Sequence, residues 1–240
     1  MGRGNFFVGT SGFAYKEWIG PFYPPGTKSA GMLGYYAGQF NSVEVNYTFR
    51  RAPTPAMIGN WSAATPDGFV FALKANQGIT HFARLKDTAE RLGRFLETVA
   101  PLGSRLGPVL FQCPPNLKYD PDVLDGFLAD LVAAPGPARF AMEFRHPSFA
   151  TDEVHSKLAS AGVALCVADT EEQPATFLWT GGLAYVRLRG LGYAEKELEG
   201  WGASFRTALD DGVDVYCYLK HEDSATGPRD AAVLKRMAED

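Results

Sequence analysis

Eight short apolar runs are spaced along the chain, and nearly every one closes on a polar or charged residue. They are Phe6–Gly9, Val43–Asn46, Phe69–Lys74, Val109–Gln112, Phe140–Arg145, Val163–Asp169, Tyr185–Arg189 and Val215–Lys220. Runs this short and this continuously apolar suit strands buried on both faces, the condition of a parallel sheet covered by helices. Helix-like stretches separate most of them, and eight such units favour closure into a barrel over an open sheet. The chain of 240 residues is an ordinary length for one such barrel, so residues 1–240 read as a single domain. The expected fold class is α/β, a single (β/α)8 TIM-like barrel. One outer helix is expected to be missing between strands six and seven, where the segment Thr170 to Gly182 is short and contains Pro174.

The helices are placed by apolar spacing and by their start and stop residues. Ser29 to Phe40 carries Met32, Leu33, Tyr36, Ala37 and Phe40 on one face. Thr54-Pro55 starts a helix with Trp61 on its buried side. Leu85 to Val99 is the clearest amphipathic stretch, with Leu85, Ala89, Leu92, Phe95, Leu96 and Val99 aligned. Asp120-Pro121 begins another, and Asp152 is expected to cap a shorter one that Gly162 ends. Glu195 to Leu209 and Asp230 to Met237 complete the set.

Composition narrows the function classes. With 46% hydrophobic and 21% charged residues, the chain can bury a large core and does not read as disordered. Its net charge of -4 argues against a nucleic-acid binder that relies on bulk basic charge, though not against a local basic patch. The three cysteines, Cys113, Cys166 and Cys217, read as small buried hydrophobes in a reducing compartment. Phe6-Phe7-Val8 is too short for a signal peptide or a membrane span, so a cytoplasmic location and no membrane partner are expected. No Gly-x-Gly-x-x-Gly follows a strand and no His-Glu-x-x-His or His-x-His occurs, so neither a cofactor nor a metal is expected. Oligomeric state is not legible.

In such barrels the chemistry lies at the C-terminal ends of the strands. Side chains alternate along a strand, so residues two apart share a face. Glu44 with Asn46, Glu143 with Arg145, and Arg187 with Arg189 therefore point together, and Lys74, Gln112, Asp169 and Lys220 lie at comparable heights. This mixed-charge ring has slightly more cations than anions. His81, His146 and His221 each follow a strand end closely. The early loop is aromatic, with Phe13, Tyr15, Trp18, Phe22 and Tyr23, and reads either as core plugging the barrel or as a stacking wall for a sugar or base.

At these residues the chain resembles the YecE-like family (domain of unknown function 72). The run Gly9 to Trp18 followed by Phe22-Tyr23-Pro24 carries the likeness, with Tyr35-Tyr36-Ala37, Val43-Glu44-Val45-Asn46, Lys74 with Ile79-Thr80-His81, Gln112 with Pro114-Pro115, Glu143 to Ser148, and Arg187 with Gly190. The resemblance implies the same single barrel and supplies no reaction. It implies that Ser11, Tyr15, Trp18, Glu44, Asn46, Lys74, His81, Gln112, Glu143 and Arg145 face the mouth. The chain departs from the family pattern at Arg50, Arg189, the Lys220-His221-Glu222-Asp223 turn and Asp230.

Three readings follow. The first is an enzyme for a small anionic or sugar-like molecule, a hydrolase, lyase or isomerase. Glu143 or Glu44 would be its acid or base, and Lys74, Arg145 and Arg187 would clamp the anion. Its ligand would be further contacted by Ser11, Tyr15, Trp18, Asn46, His81, Gln112, His146, Asp169, Arg189, Lys220 and His221. The second is a nucleic-acid-binding or phosphodiesterase-type barrel. The third is a non-catalytic barrel whose charges form only a structural network.

Overall fold

The computed structural model describes residues 2–171, 174–220 and 224–239. Eight parallel strands form one sheet: β1 Phe6–Thr10, β2 Ser42–Val45, β3 Val70–Lys74, β4 Leu106–Gln112, β5 Phe140–Glu143, β6 Ala164–Asp169, β7 Leu183–Leu188 and β8 Asp214–Leu219. Their order is β1-β8-β7-β6-β5-β4-β3-β2. The remaining seam, between β1 and β2, is closed by a bridge between Ser11 and Glu44 and by the Gly12 N–H donating to the Glu44 carbonyl at 2.8 Å. The result is a single (β/α)8 TIM-like barrel.

The seam explains two residues of the opening motif. A Cβ on Gly9 would lie 2.0 Å from the Ser42 carbonyl oxygen, so only glycine lets the two backbones approach this closely. The Tyr36 hydroxyl then accepts from the Thr10 N–H at 2.7 Å and donates to the Ser42 carbonyl at 3.2 Å. One phenol thus stands in for a ladder bond that the seam lacks.

The helices are α1 Ser29–Ala37, the single turn α2 Tyr47–Arg50, α3 Pro55–Ala63, α4 Ala89–Val99, α5 Pro121–Val132, α6 Asp152–Ser160, α7 Glu195–Asp210 and α8 Thr226–Glu239. Capping follows the sequence signals at α3 and α5, where Thr54 accepts from the Met57 N–H and Asp120 from the Val123 N–H, each followed by proline. At α6 the cap is Thr151 rather than Asp152, which occupies the first helical position. No helix lies between β6 and β7 among the described residues. None of the helices described is long and apolar enough to cross a membrane.

The main difference lies after β3. The helix expected from Leu85 begins only at Ala89. Leu85 is buried, but it sits in a loop at φ 67°, with Arg84 at 52° and Asp87 at 50°. Its burial imitates one more helical repeat. The loop begins with a π-helical turn, Gly78–Phe82. Left-handed non-glycine residues and π turns both cost backbone energy and cluster at working sites. The first helix also ends early, at Ala37, although Phe40 remains in the core, and α8 starts at Thr226, one turn before the expected Asp230.

Two apolar shells hold the barrel. One lies between strands and helices and contains most of the core. The other fills the barrel itself with Val70, Ala72, Leu110, Ala141, Ala164, Cys166, Leu183, Tyr185, Tyr216 and Tyr218. These are alternate residues of β3 to β8, the inward parity, and the next inward residue above them is where the polar layer begins.

Candidate functional site

Counting two residues upward from the inner shell leads from Ala72 to Lys74, from Leu110 to Gln112, from Ala141 to Glu143, from Tyr185 to Arg187 and from Tyr218 to Lys220. On β2, Ser42 and Glu44 have the same parity: the Ser42 hydroxyl meets the Tyr218 hydroxyl at 2.7 Å, inside the barrel. The polar top is therefore the last inward layer of the same alternation that builds the core.

Arg187 organises this layer. Its Nη1 donates to Glu143 Oε2 at 2.5 Å and its Nη2 to Glu44 Oε1 at 2.9 Å. All three side chains are at most 3% exposed. Glu44 also accepts from the Ser11 hydroxyl at 2.7 Å and the Tyr185 hydroxyl at 2.8 Å, and more distantly from Asn46 at 3.4 Å. Glu143 accepts from Gln112 Nε2 at 2.8 Å and Arg145 Nε at 3.1 Å. Gln112 in turn accepts from Lys74 Nζ at 2.7 Å. A hydrogen-bonded arc thus runs from β3 through β4 and β5 to β7 and on to β2. Arg187 Nε is buried and has no partner among the described residues.

Charge state follows from this packing. Burial would raise the Glu143 carboxyl, but Arg187 and then Arg145, with the Gln112 hydrogen bond, outweigh it and hold the group at about 2. Glu143 is accordingly an ionised acceptor at neutral pH. Lys74 is lowered to about 8, by burial first and then by Arg187 and Arg145, against the pull of Glu44 and Glu143. Burial, Lys74 and Arg145 also lower His81.

One pH dependence follows. Glu143 titrates lower in the folded chain than its ordinary 4.5, so its contribution to stability is complete above that value. It is lost as pH falls from about 4.5 towards 2. Glu143→Gln is expected to be less stable at neutral pH and to lack this acid-side loss. Urea unfolding of both proteins across pH 3–7 measures it, and parallel curves would refute the assignment.

The outer part of the layer is a cavity of about 880 Å3, lined by Glu143, Arg145, His146, Cys166, Arg189 and Lys220 among others. Arg145 is 36% and Arg189 20% exposed, and Arg189 Nη1 reaches the same Glu143 Oε1 only at 3.7 Å. Burial and the neighbouring Arg187 lower Arg189 from its ordinary value. Two cations therefore lean on one carboxylate that Arg187 already neutralises.

The other expected residues divide. Tyr15 donates to the Ser11 carbonyl at 2.7 Å and so braces the loop behind Glu44. Trp18 is fully buried among Tyr15, Phe22 and Tyr23 and offers no surface to a ligand in the mouth, so this aromatic loop is core. His81 pairs with the Thr80 hydroxyl at 2.8 Å and packs edge-on to Phe49. His146 lines the cavity but spends Nδ1 on Ser148, accepting from its N–H at 3.2 Å as a helix cap. Asp169 lies outside the arc. It has the outward parity of β6, where Ala168 is the inward neighbour, and it accepts from the Tyr193 hydroxyl at 2.8 Å and the Ala175 N–H at 2.7 Å. His221 lies outside the described residues. The sequence reading missed Tyr185, which its position two residues before Arg187 could have revealed, and Phe49, whose ring lies under Lys74 Nζ at 4.0 Å.

A family model described as "Protein of unknown function DUF72" matches residues 7–240. The chain belongs to that family. A DUF72 family protein of Thermotoga maritima MSB8 has a solved structure that matches at TM-score 0.84 and 26% identity, over 98% of this chain and 100% of the other. Another, from Enterococcus faecalis V583, matches at TM-score 0.76 and 15% identity over 100% and 99%, a likeness of fold. The UPF0759 protein YunF of Bacillus subtilis is 30% identical over 115 residues, 45% of this chain and 40% of that relative's length. This DUF72 barrel thus has a family and a fold, and its site is left to be interpreted from its own geometry.

Proposed function

We propose that this barrel is an enzyme that binds a small anionic, sugar-like molecule in the cavity at the C-terminal ends of its strands. The polar layer divides into two parts with different work. The inner part, Glu44, Arg187, Glu143, Ser11 and Tyr185, is closed upon itself and fixes the top of the barrel. The outer part, Arg145 and Arg189, carries surplus positive charge towards the cavity. The observation that supports this most is the sharing of one Glu143 oxygen by both guanidiniums, with Arg189 held only at 3.7 Å. Partly buried cations without an anion each are costly, and an incoming phosphate or carboxylate would satisfy both forks. Lys74, lowered to about 8, is the group in the arc suited to moving a proton near neutral pH.

A thermal-shift panel tests this. Sugar phosphates, nucleotides, oligonucleotides, neutral sugars and divalent cations are compared at low and moderate salt. A ligand at a hundred times its Kd stabilises by about 2.7 kcal/mol, which is roughly 5–10 °C for a domain of this size. The expected result is a selective rise with a small phosphate- or carboxylate-bearing compound. A rise with oligonucleotides alone, falling steeply with salt, would favour a nucleic-acid site, and no rise with any anion would remove the proposal.

A further inference from the structure

Lys74 is more elaborately placed than an anion clamp requires, and we infer that its amine is a covalent nucleophile that forms an imine with an aldehyde or 2-oxo group on the anionic ligand. The inference rests on the anionic-ligand reading above and deepens it.

Four observations carry it. Lys74 is the last residue of β3, at the inward top of the barrel, where a ligand in the mouth can be reached. Its Nζ is fixed from one side by Gln112 Oε1 at 2.7 Å, and Gln112 is itself anchored at 2.8 Å to Glu143, which lines the cavity, so the amine is tied through one amide to a residue of that wall. The Phe49 ring lies 4.0 Å from Nζ and gives the side chain an apolar floor. The fourth is what the amine lacks. Its hydrogen bond to Gln112 is to a neutral amide, and none of the nearby carboxylates forms an ion pair with it within 4 Å among the described residues. A lysine meant to stay charged is usually given a carboxylate. This one is placed among Arg187 from β7, Arg145 after β5 and His81 after β3, with Glu44 and Glu143 already committed to Arg187. A desolvated lysine beside other cations releases its proton near neutral pH, which is the state that attacks carbonyl carbon.

The step balances without a further reactant. The neutral amine's lone pair forms a C–N bond to the carbonyl carbon as the C=O π pair moves to oxygen and is protonated. Loss of a proton from nitrogen and of water from carbon then leaves the imine. Amine and carbonyl thus give imine and water, with no oxidation or reduction. The substrate class is a small aldehyde, ketose or 2-oxo acid carrying a phosphate or carboxylate for Arg145 and Arg189.

Pyridoxal 5′-phosphate, an aldehyde with a phosphate, is a direct probe. The full chain is incubated with it at pH 6–10, reduced with borohydride and mapped by peptide mass spectrometry. Lys74 is expected to label at least tenfold faster than exposed lysines such as Lys28 at pH 8. Its pH midpoint should lie near 8, and inorganic phosphate or Arg189→Met should suppress labelling at Lys74 but not at Lys28. Lys74→Arg should lose that adduct and keep a phosphate-induced rise in melting temperature. Labelling spread over surface lysines, with Lys74 unmodified, overturns the covalent role. If phosphate still raises the melting temperature in that case, the anion site stands; if it does not, the reading beneath fails with it.

Discussion

Replacing Arg187 with methionine is expected to remove several kcal/mol of stability at neutral pH. The guanidinium is the shared counter-ion of two carboxylates, and all three groups are at most 3% exposed. Breaking one buried pair by removing a partner costs about 3–5 kcal/mol, because the remaining charge stays buried. Here one substitution strands Glu44 and leaves Glu143 with Arg145 at 3.1 Å and the more distant Arg189. A native domain has only about 5–15 kcal/mol to lose. The pH response should also invert. In the variant, Glu44 has lost its ion-pair partner while Glu143 keeps Arg145, so protonation of Glu44 relieves the buried charge and stability recovers as pH falls from 7 towards 5. The wild type gains nothing over that range and loses the Glu143 contribution below about 4.5. Arg187→Lys should rescue only part of the loss, since a compact ammonium does not reproduce the fork whose two nitrogens reach Glu143 and Glu44 separately. Urea unfolding at pH 7 and pH 5 measures all three proteins. A methionine variant as stable as the wild type at pH 7 would mean that the inner network does not hold the barrel top.

The second large effect is on binding. The double change Arg145→Met with Arg189→Met should reduce affinity for the best anion of the panel by at least a hundredfold. A hydrogen bond to a charged group is worth about 1.5–3 kcal/mol, and two guanidiniums are removed. Stability should fall less than in Arg187→Met, because Glu143 loses its 3.1 Å contact from Arg145 but keeps Arg187 at 2.5 Å. Arg189 makes one long contact of 3.7 Å, and it is crowded by Arg187 and Arg145. Removing it relieves like-charge repulsion, so a slight gain in stability is the expected sign. Loss of binding without loss of fold is the mark of a group kept for a ligand.

Much of this was legible in the sequence because one rule builds both core and site. The strands alternate, and the inward parity that gives Val70 and Ala72 also gives Lys74, as Ala141 gives Glu143 and Tyr185 gives Arg187. Asp169 shows the rule's use when it is neglected. It has the right height but the wrong parity, and Ala168 one residue earlier marks the inward position. That no helix follows β6 among the described residues was legible from Pro174 and the shortness of the segment. The loop after β3 was not. Leu85 is buried at helical spacing from Ala89 and Leu92, and nothing in residue type distinguishes a buried loop leucine from a helical one. Partner choice was also hidden. The ring's residues could be named, but which carboxylate takes which cation depends on distances across strands. The division between Arg187, whose two terminal nitrogens each hold a carboxylate, and Arg189, scarcely engaged, exists only in three dimensions.

The most direct measurement sets Arg187→Met beside Arg189→Met, recording unfolding free energy with and without the best anion of the panel. A clean separation is expected. Arg187→Met loses several kcal/mol whether or not the anion is present, while Arg189→Met keeps wild-type stability and loses the anion-induced gain. Equal destabilisation by both changes, with an undiminished anion response in Arg189→Met, would contradict the division of this polar layer into a structural inner part and a ligand-binding outer part.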